Sequence, residues 1–328
     1  MRWTRAAALL LALAACRERA EAPPAEAKAP PAEAKAPPAE AKAPAVEAKA
    51  AAANAAQVER GRYLAEHVLG CVSCHTERDF GRFGGPMTGT PLAGACFGDG
   101  WELPGRVCAP NITSDPEHGV GRWTDAELLR ALREGFGRDG RDLFPMMPYL
   151  ELRALSDADA RAVVAWLRQV PPSPRATPRT QVPAEVSEEL KGLAAPLTTA
   201  VAEPGPTPVE RGRYLATVAQ CAFCHSGPPG PGGPGPFVGG RATPTPHGAE
   251  QAPSLLLPPK GRLPPDEDAF VARFTAFREV ADAPVRDGQL NRLVMPWRDF
   301  SGMREDDLRA LYRYLRTASA PVAAKAGD

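Results

Sequence analysis

Aromatic side chains make up only 6% of this 328-residue chain, and there are just five histidines. So few large rings argue against one large core. Pro (38) and Gly (30) are abundant instead, a composition of small domains joined by extended segments, two domains being the natural number for this length. Neither sign of charge is in surplus, with 39 basic and 39 acidic side chains. No basic stripe argues for nucleic-acid binding, and the balance gives no strong field to steer a partner. Past the N-terminus no apolar run is long enough to cross a bilayer, so no membrane-spanning helix is expected in the mature protein.

The N-terminus has the pattern of an export signal. Arg2 and Arg5 precede a short apolar stretch, Ala6 to Ala15, which ends in Leu13-Ala14-Ala15-Cys16. The stretch is too short to span a membrane, and its small residues suit cleavage. Residues 1–16 therefore resemble a lipoprotein signal peptide with a lipobox, whose Cys16 becomes the acylated first residue. Acyl chains contribute roughly 0.8 kcal/mol per buried methylene, so two or three hold a protein on a membrane surface. The expected location is a bacterial membrane facing the periplasm. Arg17 in place of Asp favours the outer membrane. Residues 17–57 form a tether rich in Pro, Ala, Glu and Lys, in which A-P-P-A-E-A-K recurs over 22–49. Paired prolines and the lack of large apolar residues forbid a coiled coil, so this segment is expected to be extended.

An internal repeat organises the rest. Val58-Glu59-Arg60-Gly61-Arg62-Tyr63-Leu64-Ala65 returns unchanged as Val209 to Ala216. Cys71-Val72-Ser73-Cys74-His75 returns as Cys221-Ala222-Phe223-Cys224-His225, Ala109-Pro110 as Ala252-Pro253, and Met147-Pro148 as Met295-Pro296. Landmarks in the same order mean a tandem duplication: copy one over 58–170, a Pro-rich linker over 171–208, copy two over 209–317 and a tail over 318–328. The linker suggests two copies that behave independently.

The C-x-x-C-H motifs carry the chemistry. Two thiols separated by a two-residue spacer on one helical turn match the two vinyl groups of a haem, and the adjacent His can ligate the iron. C-x-x-C alone would also suit a redox dithiol or half a zinc site, but no second ligand pair recurs in both copies. Two covalently bound haem c groups are the expectation, on Cys71, Cys74 and His75 and on Cys221, Cys224 and His225. For the sixth ligand, His67, His118 and His247 occupy no equivalent positions. Met147 and Met295 do, and each precedes a proline that favours extended backbone. Met146 lacks that context, and Met303 aligns with Leu155 as a core residue.

Helices are expected at 58–69 and 209–219, after the Thr124 capping box to about Arg133, after Ser156 to about Arg168, and from the acidic starts Asp266 and Glu305. No strand alternation is evident. The expected fold class is all-α, with tandem domains that each place a few helices around a haem.

The sequence R-G-x-Y-L, C-x-x-C-H, P-N-I-T-x-D, G-x-W-T-D-A-E, M-P-Y and L-S-D-x-D resembles the class I cytochrome c domains of multihaem cytochrome subunits of membrane dehydrogenases. It fits 58–170 well and 209–317 more loosely, where Leu263 replaces Trp123. The resemblance implies His/Met ligation of both irons, with His75, Met147, His225 and Met295 as metal ligands. It also implies that Pro110 buttresses His75 and that Asn111 and Trp123 lie near the first haem's propionates. The implied activity is outer-sphere electron transfer between redox protein partners, a dehydrogenase being one candidate. The chain would thus be a carrier rather than an enzyme, with a dihaem peroxidase-like enzyme as the alternative. Cys96 and Cys108 remain, in a Gly-rich insertion without a counterpart in copy two. In an exported protein they are expected to pair, the alternative being free or redox-active thiols.

Overall fold

The computed structural model describes residues 45–227, 236–279 and 293–319. Cys16, the signal segment, the tether up to residue 44 and the tail from residue 320 lie outside the described residues. None of the described helices is long and apolar enough to cross a membrane.

Copy one comprises α1 (Ala45–His67), α2 (Cys71–His75), the strands β1 (Ala95–Phe97) and β2 (Val107–Ala109), α3 (Asp125–Glu134), α4 (Tyr149–Leu152) and α5 (Asp157–Leu167). The linker carries α6 (Ala184–Glu189). Copy two follows the same order, with α7 (Pro208–Val218), α8 (Cys221–His225), β3 (Ala242–Thr243), β4 (Glu250–Gln251), α9 (Glu267–Thr275), α10 (Trp297–Phe300) and α11 (Glu305–Ser319). The architecture is helix-rich, as expected.

Local sequence explains where several helices begin. Thr124 and Glu127 cap α3 reciprocally, and Thr207 and Glu210 do the same for α7, with Pro208 at its first turn. Ser156 accepts from the Asp159 amide at α5, and Asp266 accepts from the Ala269 amide at α9.

Three expectations need correction. First, α1 begins at Ala45, so the last part of the 17–57 tether is helical. After Pro44 the sequence is rich in alanine and free of proline, which lets a helix propagate back from copy one. Second, strands are present as two antiparallel ribbons of three and two residues per strand. Copy two thus has a ribbon where the Gly-rich insertion lies in copy one. What it lacks is the disulfide, which joins Cys96 to its cross-strand partner Cys108.

Third, the 171–208 linker does not hold two independent bodies apart. It straps along copy one. Asn111 donates its side-chain amide to the carbonyls of Ser173 (2.8 Å) and Arg175 (2.9 Å). Arg175 pairs with Glu77, Gln181 bridges to Arg106, and Thr180 Oγ1 exchanges hydrogen bonds with the Cys108 amide (3.1 Å) and carbonyl (3.0 Å). One hydrophobic cluster then runs through both copies, including Leu64, Val68, Val163 and Trp166 of copy one and Leu215, Val218, Leu308 and Tyr312 of copy two.

Within each copy the first helix crosses the last at a glycine. A Cβ on Gly61 would lie 1.9 Å from the Ala162 carbonyl oxygen, and one on Gly212 2.0 Å from that of Ala310. Only glycine permits backbones this close.

Between copies there is a reciprocal clasp. Arg60 donates to both Asp159 oxygens at 2.8 and 2.7 Å, and Tyr214 of copy two donates to the same carboxylate at 2.7 Å. In mirror fashion Arg211 donates to Asp307 at 2.9 and 3.1 Å, and Tyr63 of copy one donates to it at 2.7 Å. Both carboxylates are buried, which is tolerable only because each is paired and hydrogen-bonded. Burial alone would raise the Asp307 carboxyl, but Arg211 and Tyr63 hold it below the usual range. Burial, and then the adjacent carboxylate, push both phenols upward.

Tyr63→Phe and Tyr214→Phe each strip one donor from a buried carboxylate. Each is expected to cost about 1.5–3 kcal/mol, the range for hydrogen bonds to charged groups. Chemical denaturation of the haem-loaded protein measures this; unchanged midpoints in both variants would mean that the clasp does not stabilise the fold.

Candidate haem sites

Each C-x-x-C-H sequence forms one short helix, α2 or α8, entered through a left-handed residue. Gly70 (φ 72°) caps α2 and Gln220 (φ 60°) caps α8. The turn puts the histidine at its C-terminal end, buried.

The histidine is then fixed at two points. Its carbonyl accepts the amide of Gly94 in copy one (2.8 Å) and of Gly239 in copy two (2.7 Å). Its ring Nδ1 lies 2.7 Å from the Pro110 carbonyl in copy one and 2.8 Å from the Pro253 carbonyl in copy two. A carbonyl can only accept, so Nδ1 carries the proton and donates. Burial lowers the affinity of both rings for a second proton, outweighing the pull of the carbonyl. A neutral ring protonated on Nδ1 presents a lone pair on Nε2, which is the state an iron ligand needs.

The strand ribbons build this cradle. Just before β1, Leu92 sits at φ 63°, and Phe237 repeats that conformation at φ 61°. Both side chains are buried, and a left-handed backbone is costly for residues of this size. The carbonyls of Leu92 and Phe237 accept from the Ile112 amide (2.9 Å) and the Leu255 amide (2.8 Å), pinning the Pro110 and Pro253 loops beside the histidines.

The cysteine pairs fit covalent haem attachment. Cys71, Cys74, Cys221 and Cys224 are free thiols. Burial pushes Cys71 and Cys221 up to about 12 and Cys74 up to about 11, and raises Cys224 as well. Among the described residues no group of three or more His, Cys, Asp or Glu side chains gathers into a metal site. When bound, the haem iron cycles between Fe(III) and Fe(II) by one electron.

The methionines occupy matching turns. The Tyr149 amide donates to the Met147 carbonyl at 2.8 Å, and the Trp297 amide donates to that of Met295 at 2.7 Å. Pro148 and Pro296 then cap α4 and α10 with similar backbone angles. Both methionines are partly buried against the main core, and Met303 is buried within it. Two other histidines are engaged elsewhere: His67 Nδ1 donates to the Asp299 carbonyl (3.1 Å), and His247 Nε2 to that of Phe80 (2.7 Å).

The residues implied to lie near the first haem's propionates divide. Both amide hydrogens of Asn111 go to the linker, and its Oδ1 accepts from the Thr113 amide (2.9 Å) and hydroxyl (2.7 Å). The structure thus gives Asn111 a clamping task on the linker. Trp123 packs half-buried on Val120, Leu128 and Val164. Sequence reasoning did not extend the Pro110 role to Pro253, although the repeated Ala-Pro dipeptide was its signal. Nothing in the sequence marks Leu92 and Phe237, because left-handed leucine and phenylalanine have no local signature.

The cytochrome c family model matches residues 58–171. This segment is a cytochrome c domain. One subunit of the nicotinate dehydrogenase of Pseudomonas putida is 35% identical to the chain over 53% of the chain and 14% of its own length. The cytochrome c subunit of the quinone alcohol dehydrogenase of Gluconobacter oxydans is 38% identical over 35% of the chain and 21% of its own length. A diheme cytochrome c-type protein of Cereibacter sphaeroides is 28% identical over 76% of the chain and 82% of its own length. The chain thus spans about a fifth or less of the two dehydrogenase relatives. A cytochrome c domain implies covalent haem c, which the cysteines and histidine of α2 fit.

Proposed function

We propose that the chain is a lipid-anchored dihaem electron carrier, with iron ligands His75 and Met147 in copy one and His225 and Met295 in copy two. The observation that carries this reading is the repeated cradle, in which each histidine spends Nδ1 on a proline carbonyl and keeps Nε2 for a metal. A neutral thioether as sixth ligand favours Fe(II) and raises the potential relative to a second histidine. Held by His75 and Met147, or by His225 and Met295, neither iron would be open to substrate, so the chemistry would be outer-sphere transfer and not catalysis. The relatives whose names place them in dehydrogenases support a dehydrogenase as one redox partner, within an electron-transport chain outside the cytoplasm. The lipid-bearing Cys16 and the tether would hold the folded part off the periplasmic face of the membrane, the outer membrane being favoured by Arg17.

Oxidised wild-type protein is expected to be low-spin at both irons, with the weak far-red Met–Fe(III) band. Met147→Ala and Met295→Ala should each remove part of that band, lower one potential and open one iron to cyanide. If both variants keep the band, or if wild type already holds a high-spin iron that turns over peroxide, the carrier reading gives way to a peroxidase.

The anchor has its own test. Cys16→Ser should move the protein from the membrane to the soluble periplasmic fraction; equal membrane retention would contradict lipidation.

A further inference from the structure

Four residues beyond each methionine stands an acidic side chain, Glu151 in copy one and Asp299 in copy two. Asp299 lies on α10, directly after the Met295-Pro296 turn. Yet its side chain is half-buried against the other copy. Ser73, the residue between Cys71 and Cys74 that precedes the second attachment cysteine, donates its hydroxyl to the Asp299 carboxylate. Arg78 in turn donates to the Ser73 hydroxyl at 2.8 Å and is held by the Gly84 and Gly85 carbonyls. His67 at the end of α1 secures the Asp299 backbone carbonyl, and Arg298 reaches the Phe83 carbonyl at 3.2 Å. A segment of copy two is thereby locked onto the haem-attachment turn of copy one.

The duplication repeats the carboxylate, since Glu151 of copy one acts on the Cys224 thiol of copy two as Asp299 acts on Cys74, but it does not repeat the hydroxyl. In copy two the position of Ser73 is taken by Phe223, which has no hydroxyl, is half-exposed and lies under Arg241. Copy one therefore has at its attachment turn a carboxylate that a hydroxyl orients, and copy two does not reproduce the pair.

We propose that Asp299 is a positioning residue for the first haem site, supplied from the second copy, and that its carboxylate sets that site's reduction potential. The inference rests on the reading that both copies carry haem. A negative charge held in a partly buried site beside the attachment turn favours the more positive iron state, Fe(III), and so depresses the potential. The same side chain belongs to the segment that presents Met295, so the two sites share one rigid link. A change confined to copy two is thus expected to alter the potential in copy one.

The test is a spectroelectrochemical titration of the full two-haem protein at mildly alkaline pH. Asp299→Asn keeps the shape and can still accept from Ser73, but removes the charge. It should raise the first haem's midpoint by at least threefold in the Fe(II)/Fe(III) ratio, about 30 mV at ~59 mV per tenfold for one electron. The same rise should occur in a Met295→Ala background, which already displaces the second haem's potential and so assigns the shift to the first. Ser73→Ala, which leaves the charge but removes its orienting donor, should produce a smaller rise of the same sign and serves if Asp299→Asn does not fold. The proposal is overturned if neither variant moves the first midpoint, or if the shift falls on the second haem alone. A wild-type protein without two haems would instead refute the dihaem reading.

Discussion

The hydrogen bond from the histidine Nδ1 to a proline carbonyl, His75 to Pro110 and His225 to Pro253, is the constraint around which each copy is arranged. It fixes both the tautomer and the ring orientation, and it needs the proline loop held within about 3 Å of a buried ring. The ribbon, the left-handed Leu92 and Phe237, and the Gly94 and Gly239 amides all serve that placement. Two residues in a costly backbone region persist because surrounding hydrogen bonds and burial over-determine them. The strain thus lies at the site where a ligand must be pre-oriented.

The duplication has a second consequence at the interface. Arg60 and Tyr63 belong to the octapeptide that both copies share, but they serve different partners: the arginine pairs with an aspartate of its own copy, and the tyrosine with the aspartate of the other. Repeating the peptide therefore repeats the clasp in mirror sense, as a two-fold axis would between subunits. Glycine at position 61 or 212 brings the helices of each copy close enough for these groups to meet. Asn111, Thr180 and Arg175 then turn the linker into part of copy one. On the proposed dihaem reading, the two sites would hold fixed positions relative to each other, as suits electrons that enter at one and leave at the other.

Much of this was legible in the sequence because it is local. Capping boxes, C-x-x-C-H turns and Met-Pro turns depend on residues a few positions apart, and the structure has helices and turns at those places. The ribbons were not legible, since strands of two or three residues are too short to show alternation. The helical stretch from Ala45 was hidden by the prolines before it, although its alanine content pointed to helix. The linker misled because proline marks extended backbone equally well in a free spacer and in a packed strap. The clasp left one trace, the identity of Arg60 and Tyr63 in both copies, which a helix alone does not require. The Ser73–Asp299 contact left none, as it joins residues 226 positions apart and has no equivalent in the other copy.

The central claim is that both cradles, and not only the one in the matched cytochrome c domain, hold covalent haem. Its most direct measurement is the haem content of the purified mature protein after acid–acetone extraction, read against chain mass. The account predicts two haems per chain that resist extraction. Recovery of one equivalent, or of haem that leaves with the solvent, would contradict it.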